Sequence, residues 1–200
     1  MTSKTILVWL VAYGIGCFAT GYYLVRWQRG IDVRTVGSKT TGAFNVARVM
    51  KLPGFAITVF GDVMKGVLAL GIARAVELER FGLLVAMIAV VMGHNFPVQL
   101  NFRGGNGLAT ATGALFLFDV QLAVALTGLF FLSLPVLFAA KKFFNLPVQY
   151  YTPSKLTVLA TPVMAVVFAR EWWTAVGLAG LVAVILWTIR GNMRNLRDGT

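Results

Sequence analysis

Residues 93–113, GHNFPVQLNFRGGNGLATATG, gather polar groups in a chain that is otherwise mostly hydrocarbon. The stretch holds the only histidine, His94, then Arg103, Gly104, Gly105, Asn106 and Gly107, with Thr110 and Thr112 where a helix begins. Glycines let a backbone approach a ligand closely, successive N–H groups cradle a phosphate, and arginine adds bidentate hydrogen bonds to its oxygens. A helix N-terminus just beyond is itself suited to anions. Residues 30–51, GIDVRTVGSKTTGAFNVARVMK, repeat the recipe with Gly37, Ser38, Thr40, Thr41, Gly42 and Asn45, and with Arg34, Lys39 and Arg48 as cations. A third polar, glycine-bearing stretch closes the chain: IRGNMRNLRDGT, residues 189–200. The first two lack the Gly-Lys-Ser/Thr ending of a Walker loop. Taken singly, each is also what a turn between helices looks like; two on one face shift the balance toward a phosphate site.

Other polar groups need an explanation. Asp62 and Lys65 stand one helical turn apart inside an apolar run, where a pair meets on one face. Charges at membrane depth are costly and are functional candidates by default, with a structural ion pair as the alternative. His94 is either an acid or base beside the pocket or a hydrogen-bonded structural histidine. Neither a Gly-x-Ser-x-Gly elbow nor a Ser/His/Asp set suited to nucleophilic catalysis is present. A lone cysteine, Cys17, and a lone histidine exclude an intrachain disulfide and make a metal site implausible. No cofactor is expected. A phosphate-binding enzyme so equipped needs a substrate that arrives already activated.

The elements that position these groups are apolar spans. Of 200 residues, 58% are hydrophobic and 12% charged, against roughly 25% charged in a soluble domain. Mean hydropathy is +0.78. The class is an all-α polytopic membrane protein of about seven transmembrane helices, read as a single domain over residues 1–200. The spans are Thr5–Val25, Pro53–Val76, Phe81–Leu100, Leu108–Phe118, Val120–Ala140, Pro153–Ala169 and Trp172–Ile189. The fourth is too short to cross an average bilayer alone, and Pro135 and Pro162 should kink their helices. The first run continues through Leu24 to Val25, which argues for a retained span rather than a signal sequence.

Formal net charge is +11, but the basic residues interrupt hydrophobic runs instead of forming a stripe, so no nucleic-acid partner is expected. With seven spans, 13 of the 18 basic residues share one face: Arg26, Arg29, Arg34, Lys39, Arg48, Lys51, Arg103, Lys141, Lys142, Lys155, Arg190, Arg194 and Arg197. The positive-inside rule then puts the N-terminus outside and the C-terminus in the cytoplasm. All three polar stretches fall on the cytoplasmic face.

The segments GIDVRTVGSKTTGAFNVAR, FGDVMKG and GHNFPVQLNFRGGNGLAT resemble the bacterial acyl-phosphate:glycerol-3-phosphate acyltransferases of the PlsY type, over essentially the whole chain. The resemblance implies a multi-pass enzyme of the bacterial cytoplasmic (inner) membrane. It would transfer a fatty acyl group from acyl phosphate to the 1-hydroxyl of glycerol 3-phosphate, giving lysophosphatidic acid for phospholipid synthesis, without a cofactor. Ser38, Arg48 and His94 would be the catalytic set. Gly37, Lys39, Gly42, Asn45, Lys65, Arg103, Gly104, Gly105, Asn106, Gly107, Arg190, Arg194 and Asn195 would bind substrate, with Lys65 near the phosphates and the glycine backbone cradling one of them.

The chain departs from the family pattern at several positions. Lys39, Thr40 and Thr41 follow the Gly-Ser where Gly-Asn-(Ile/Val) is usual, and Phe44 replaces a threonine before Asn45. Asn106 stands for the lysine of Gly-Gly-Lys-Gly. In the third motif Gly191 replaces a histidine, Arg194 falls on the asparagine position, and Asn195 comes one residue late. These changes keep two alternatives open: a non-catalytic or regulatory paralogue that binds lipid phosphates, and a same-fold acyltransferase with a different acceptor.

Overall fold

The computed structural model describes residues 2–144, 158, 160, 161, 163, 164, 166, 167 and 171–197, with side chains described through 136, at 139, at the isolated positions and over 171–192. The described elements are helical: α1 (Ser3–Cys17), α2 (Thr20–Arg29), a 3-10 turn at Val33–Thr35, α3 (Ala43–Ala75), α4 (Arg80–Asn95), a second 3-10 turn at Val98–Leu100, α5 (Leu108–Phe118), α6 (Val120–Phe144) and α7 (Trp172–Arg197). Four described stretches are long and apolar enough to cross a membrane: Ser3–Arg29, Ala43–Ala75, Arg80–Leu100 and Trp172–Asn192. The expected fourth span coincides with α5. The expected sixth, with Pro162 and Lys155, lies outside the described residues apart from seven isolated positions.

The chain separates into two compact units. One comprises Met1–Phe118 with Val184–Thr200, and the other Asp119–Ala183. In the second unit, the Asp119 carboxylate caps α6 by accepting from the Leu122 N–H (3.1 Å), and α6 continues through Pro135 to Phe144. The polar stretches of the sequence all fall in the first unit.

Two findings correct the expected spans. The first span is not one helix: it breaks at Phe18 and Ala19, both of which leave the helical conformation between α1 and α2. No proline causes this. The carbonyls freed by the break are taken up by distant side chains: Gln99 Nε2 donates to Cys17 O (2.6 Å) and Lys65 Nζ to Phe18 O (2.9 Å). Such satisfaction is obligatory where water is absent. The second correction concerns residues 43–50, expected as loop, which form a helix continuous with the second span across a kink at Lys51 (φ 57, ψ −151). Pro53 explains the kink, because its ring excludes the preceding turn's carbonyl and suits the start of a helix.

Helices in lipid gain little from burying apolar surface against one another, so close backbone approach matters more. At the α1–α4 crossing, a Cβ on Gly93 would run into Tyr13 O and Gly16 Cα. Tyr13 Oη also donates to Phe96 O (2.8 Å), and Trp9 Nε1 to Gly82 O (3.0 Å). At the α3–α5 crossing, a Cβ on Gly113 would meet the Val63 carbonyl. These two crossings bring the end of α4 and the start of α5 beside the middle of α3.

Candidate active site

The segment before α3, residues 30–42, is folded by one side chain. Asn45 is 1% exposed. Its Oδ1 accepts from the Ser38 N–H (2.8 Å), and its Nδ2 donates to Val33 O and Thr40 O (both 2.8 Å). Three polar groups of the loop thus close on a single amide. Gly37 has φ +53, and a Cβ there would strike Asn45 Oδ1 and the Arg48 side chain, so the exposed Arg48 lies over this turn. Ser38 Oγ is 3.1 Å from Thr40 Oγ1 in a hydrogen bond. Lys39, half-buried, holds a left-handed φ of 54°. Underneath, Val25, Val33, Val46 and Met50 form an apolar cluster that fixes the loop to α2 and to the first turns of α3.

Arg34, which sequence reading counts among the phosphate-facing cations, is committed elsewhere. It makes hydrogen bonds to both Asp32 carboxylate oxygens (2.8–3.2 Å), donates Nη1 to Leu100 O (2.7 Å) and sits 5.0 Å from the centre of the Tyr22 ring. It therefore ties the first loop to the second. For Asp32, burial opposes ionisation, but hydrogen bonds and charge from Arg34 outweigh it and hold the carboxyl below its usual range.

The second loop, residues 96–107, folds back over the end of α4. Gly104 N–H donates to Asn95 O and Gly105 N–H to His94 O (both 3.1 Å). Their N–H groups are therefore not presented to an anion, contrary to the sequence expectation. These glycines serve packing instead: a Cβ on Gly104 would strike the His94 carbonyl, and one on Gly105 would overlap the His94 imidazole. Gly107, at φ +80, leads into α5 and lies against Asn95 Oδ1. The N–H groups of Asn106, Gly107 and Leu108 precede the first α5 bond, in which Ala111 N–H donates to Gly107 O (2.8 Å). The two loops meet directly, because Thr41 N–H donates to Gly104 O (3.3 Å). Arg103 is exposed at the rim.

His94 and Lys65 are inside the bundle, 4% and 5% exposed. Lys65 Nζ lies 3.0 Å from Asp62 Oδ1 and bonds Phe18 O, so its ammonium is engaged by protein rather than directed into either loop. His94 Nδ1 is 3.2 Å from Thr110 Oγ1 and 3.6 Å from Asp62 Oδ1.

Sequence reading missed Asn192, Asn95 and Thr188. Asn192 Nδ2 donates to Asn106 Oδ1 (2.8 Å), and Asn95 Nδ2 donates to Thr188 Oγ1 (3.1 Å). Residues 188 and 192 are one helical turn apart on α7, so one face of that helix holds the second loop. The only sequence signal was the polar tail itself. Arg190 is exposed on the same helix; Arg194 and Asn195 fall on its last turns, with side chains outside the described residues.

Two glycine loops, joined at the end of a helical bundle, with Arg48 and Arg103 exposed beside them and a buried Asp62–Lys65 pair behind, make up the candidate site. The glycerol-3-phosphate acyltransferase family profile matches residues 6–199. Glycerol-3-phosphate acyltransferase 1 of Desulfitobacterium hafniense is 37% identical over 187 residues, covering 94% of this chain and 88% of that protein. The glycerol-3-phosphate acyltransferase of Thermus thermophilus is 34% identical, over 98% and 94% respectively. The crystal structure of PlsY, an integral membrane glycerol 3-phosphate acyltransferase, in its glycerol 3-phosphate form shares the fold with a TM-score of 0.78 at 24% identity, over 98% of this chain and 94% of that one. Its lysophosphatidic acid form gives 0.76 at 23% identity. The chain belongs to the glycerol-3-phosphate acyltransferase family.

Proposed function

We propose that this acyltransferase takes a fatty acyl group from acyl phosphate and places it on the 1-hydroxyl of glycerol 3-phosphate, giving lysophosphatidic acid. The observation that carries this reading is the joining of the two glycine loops through Thr41 and Gly104, with Arg48 over one and the start of α5 at the other. Acyl phosphate is a mixed anhydride. The glycerol oxygen attacks the acyl carbon, the bond from that carbon to the phosphate oxygen breaks, and inorganic phosphate leaves with its electron pair. The hydroxyl proton passes to a phosphate oxygen, which accounts for a site without a protein nucleophile.

The protein's tasks are then to hold two phosphates in reacting geometry and to stabilise charge developing on the carbonyl and leaving oxygens. Arg48 and Ser38 supply a guanidinium and a hydroxyl to one phosphate, with Gly37, Lys39, Gly42 and Asn45 shaping that loop. Arg103, Asn106 and the N–H groups of Gly107 and Leu108 serve the other, beside the start of α5. Arg190 lines the same rim, with Arg194 and Asn195 further along the tail. Beside the α1–α2 break, an apolar groove of about 340 Å³ lined by Phe18, Tyr23, Leu24, Trp27 and Ile57 offers the acyl chain a path into lipid. Gln99 of the second loop contacts its Tyr23 hydroxyl, so groove and loop lie side by side.

We infer further that residues 1–200 work as one domain in the cytoplasmic membrane of a bacterium, with seven spans, the N-terminus outside and both loops inside. Cysteines introduced singly at Lys39 and Asn106 should then be labelled from the cytoplasmic side, and one at Glu79 from outside. The activity is tested with purified protein, palmitoyl phosphate and glycerol 3-phosphate. Lysophosphatidic acid should form with release of inorganic phosphate. Turnover with palmitoyl-CoA but not with palmitoyl phosphate would overturn the donor assignment.

A further inference from the structure

One charged group of the interior has no place in the chemistry above. Asp62 is 3% exposed, in the middle of α3. Its Oδ1 accepts from Thr20 Oγ1 at the first turn of α2 (3.1 Å), lies 3.0 Å from Lys65 Nζ, and stands 3.6 Å from His94 Nδ1 on α4. Lys65 reaches on to the open carbonyl of Phe18, and His94 Nδ1 bonds Thr110 on α5. The other edge of the His94 ring packs on Gly105, where a Cβ would overlap Nε2. One carboxylate thus touches or is one contact from the α1–α2 break, α2, α4, α5 and the second glycine loop.

A salt bridge that served only to neutralise Lys65 would need no hydroxyl from α2 and no imidazole. Buried ion pairs contribute little net stability over apolar replacements, since desolvation offsets most of the attraction. The arrangement is better suited to fixing geometry. Thr20, Lys65 and His94 approach the same oxygen from three elements, so a shift of any one of them strains the others.

We propose that Asp62 is a positioning residue of the acyltransferase. It fixes the His94 ring against Gly105 and anchors the α1–α2 break, and so sets the position of the 103–107 loop. The inference rests on the reading that this loop receives a substrate phosphate. Small displacements in such a site cost turnover and binding out of proportion to their size, up to about 100-fold for 1 Å.

The test compares kcat and KM for glycerol 3-phosphate, together with the unfolding midpoint, in five variants, His94→Ala among them. Asp62→Leu/Lys65→Met removes both buried charges and leaves none unpaired. It should fold, yet KM should rise about tenfold or more, because His94 then keeps only its Thr110 contact and the α1–α2 break loses Lys65. If this double variant recovers the wild-type KM, Asp62 only balances Lys65 and the positioning role is overturned. Thr20→Val keeps the shape, including the methyl packed on Gly61, and deletes one hydrogen bond to Asp62. It should fold and raise KM about threefold, and no change would count against the proposal even if the double variant did not fold. Thr20→Val should raise KM by a smaller factor in a His94→Ala background than in the wild type, whereas equal factors would mean that Thr20 and Asp62 do not act through His94. Gly105→Ala examines the underlying site reading separately. If it folds with an unchanged KM, the loop is not a substrate site; if it raises KM while the Thr20 and Asp62 variants do not, only the positioning role falls.

Discussion

The two glycine loops reach the same surface by opposite means. The first is closed by a side chain, the Asn45 amide, with Lys39 half-buried on it and Arg48 and Lys51 exposed on the helix that follows. The second is closed by main-chain bonds to the last carbonyls of α4 and presents one exposed cation of its own, Arg103. Where the family has a lysine, it has Asn106, paired with Asn192. In the proposed site the first loop would meet a phosphate mostly through charge, and the second mostly through the N–H groups at the start of α5. The first loop therefore depends on one side chain it cannot exchange, and the second on glycines that admit no added atom.

The largest effect should come from Asn45→Ala. It leaves Val33 O, Thr40 O and the Ser38 N–H without their partner, at roughly 3–5 kcal/mol for the set. Unfolding midpoints should fall sharply and turnover should disappear; a stable, active variant would show that the loop does not depend on this amide. Next is Gly104→Ala, whose Cβ meets the His94 and Asn95 carbonyls, atoms that cannot swing away. A cost of about 3 kcal/mol is expected, at the upper end for overpacking. The contrasting Gly37→Ala meets side-chain atoms and should cost less, and a reversed order would break the distinction between the loops. Arg48→Ala should leave stability unchanged and lower kcat/KM about 10- to 150-fold, the kinetic equivalent of losing charge-assisted bonds of roughly 1.5–3 kcal/mol.

Asn192→Ala should be milder. It removes one neutral bond of about 1 kcal/mol, and KM for glycerol 3-phosphate should rise a few-fold with kcat little changed. Asn106→Lys sharpens the same point: its ammonium should lower that KM at low salt, and the gain should fade as salt rises. The smallest effect concerns the Asp32–Arg34 tie between the loops. Because the folded carboxyl lies below its ordinary value near 3.9, its contribution is present above that pH and is lost as pH falls through the lower folded value. Asp32→Asn should therefore lower the unfolding midpoint slightly at pH 7, and the difference should shrink as pH falls below the ordinary carboxylate value.

The legible parts of the molecule were those whose cause is local. Leu108–Phe118 was bounded by Gly107 and Asp119, and its helix has those limits. Pro53 marked a helix start, and the helix does restart there. The glycine loops stood out by composition. What could not be read has tertiary causes. The break after Cys17 has no proline, and exists because Gln99 and Lys65 arrive to satisfy its carbonyls. The N–H groups of Gly104 and Gly105 looked free because their acceptors are the end of another helix. Arg34 looked like a phosphate ligand because nothing in the sequence shows that Leu100 O lies within reach. Asn192 was hidden because its partner, Asn106, stands 86 residues earlier in the chain.

The break in the first span also has a consequence for biosynthesis. When residues 1–29 have left the ribosome, the carbonyls of Cys17 and Phe18 have no partners in their own helix. Their donors are encoded 82 and 47 residues later, at Gln99 and Lys65. At roughly 5–20 residues per second, the chain must wait about 4–16 s after Cys17 for Gln99 to be made. During that interval the nascent first span cannot be left in hydrocarbon with its backbone open. Until then it either continues as helix, keeping its own bonds, or stays beside water or the insertion machinery, so the break itself forms only once Lys65 and Gln99 have followed.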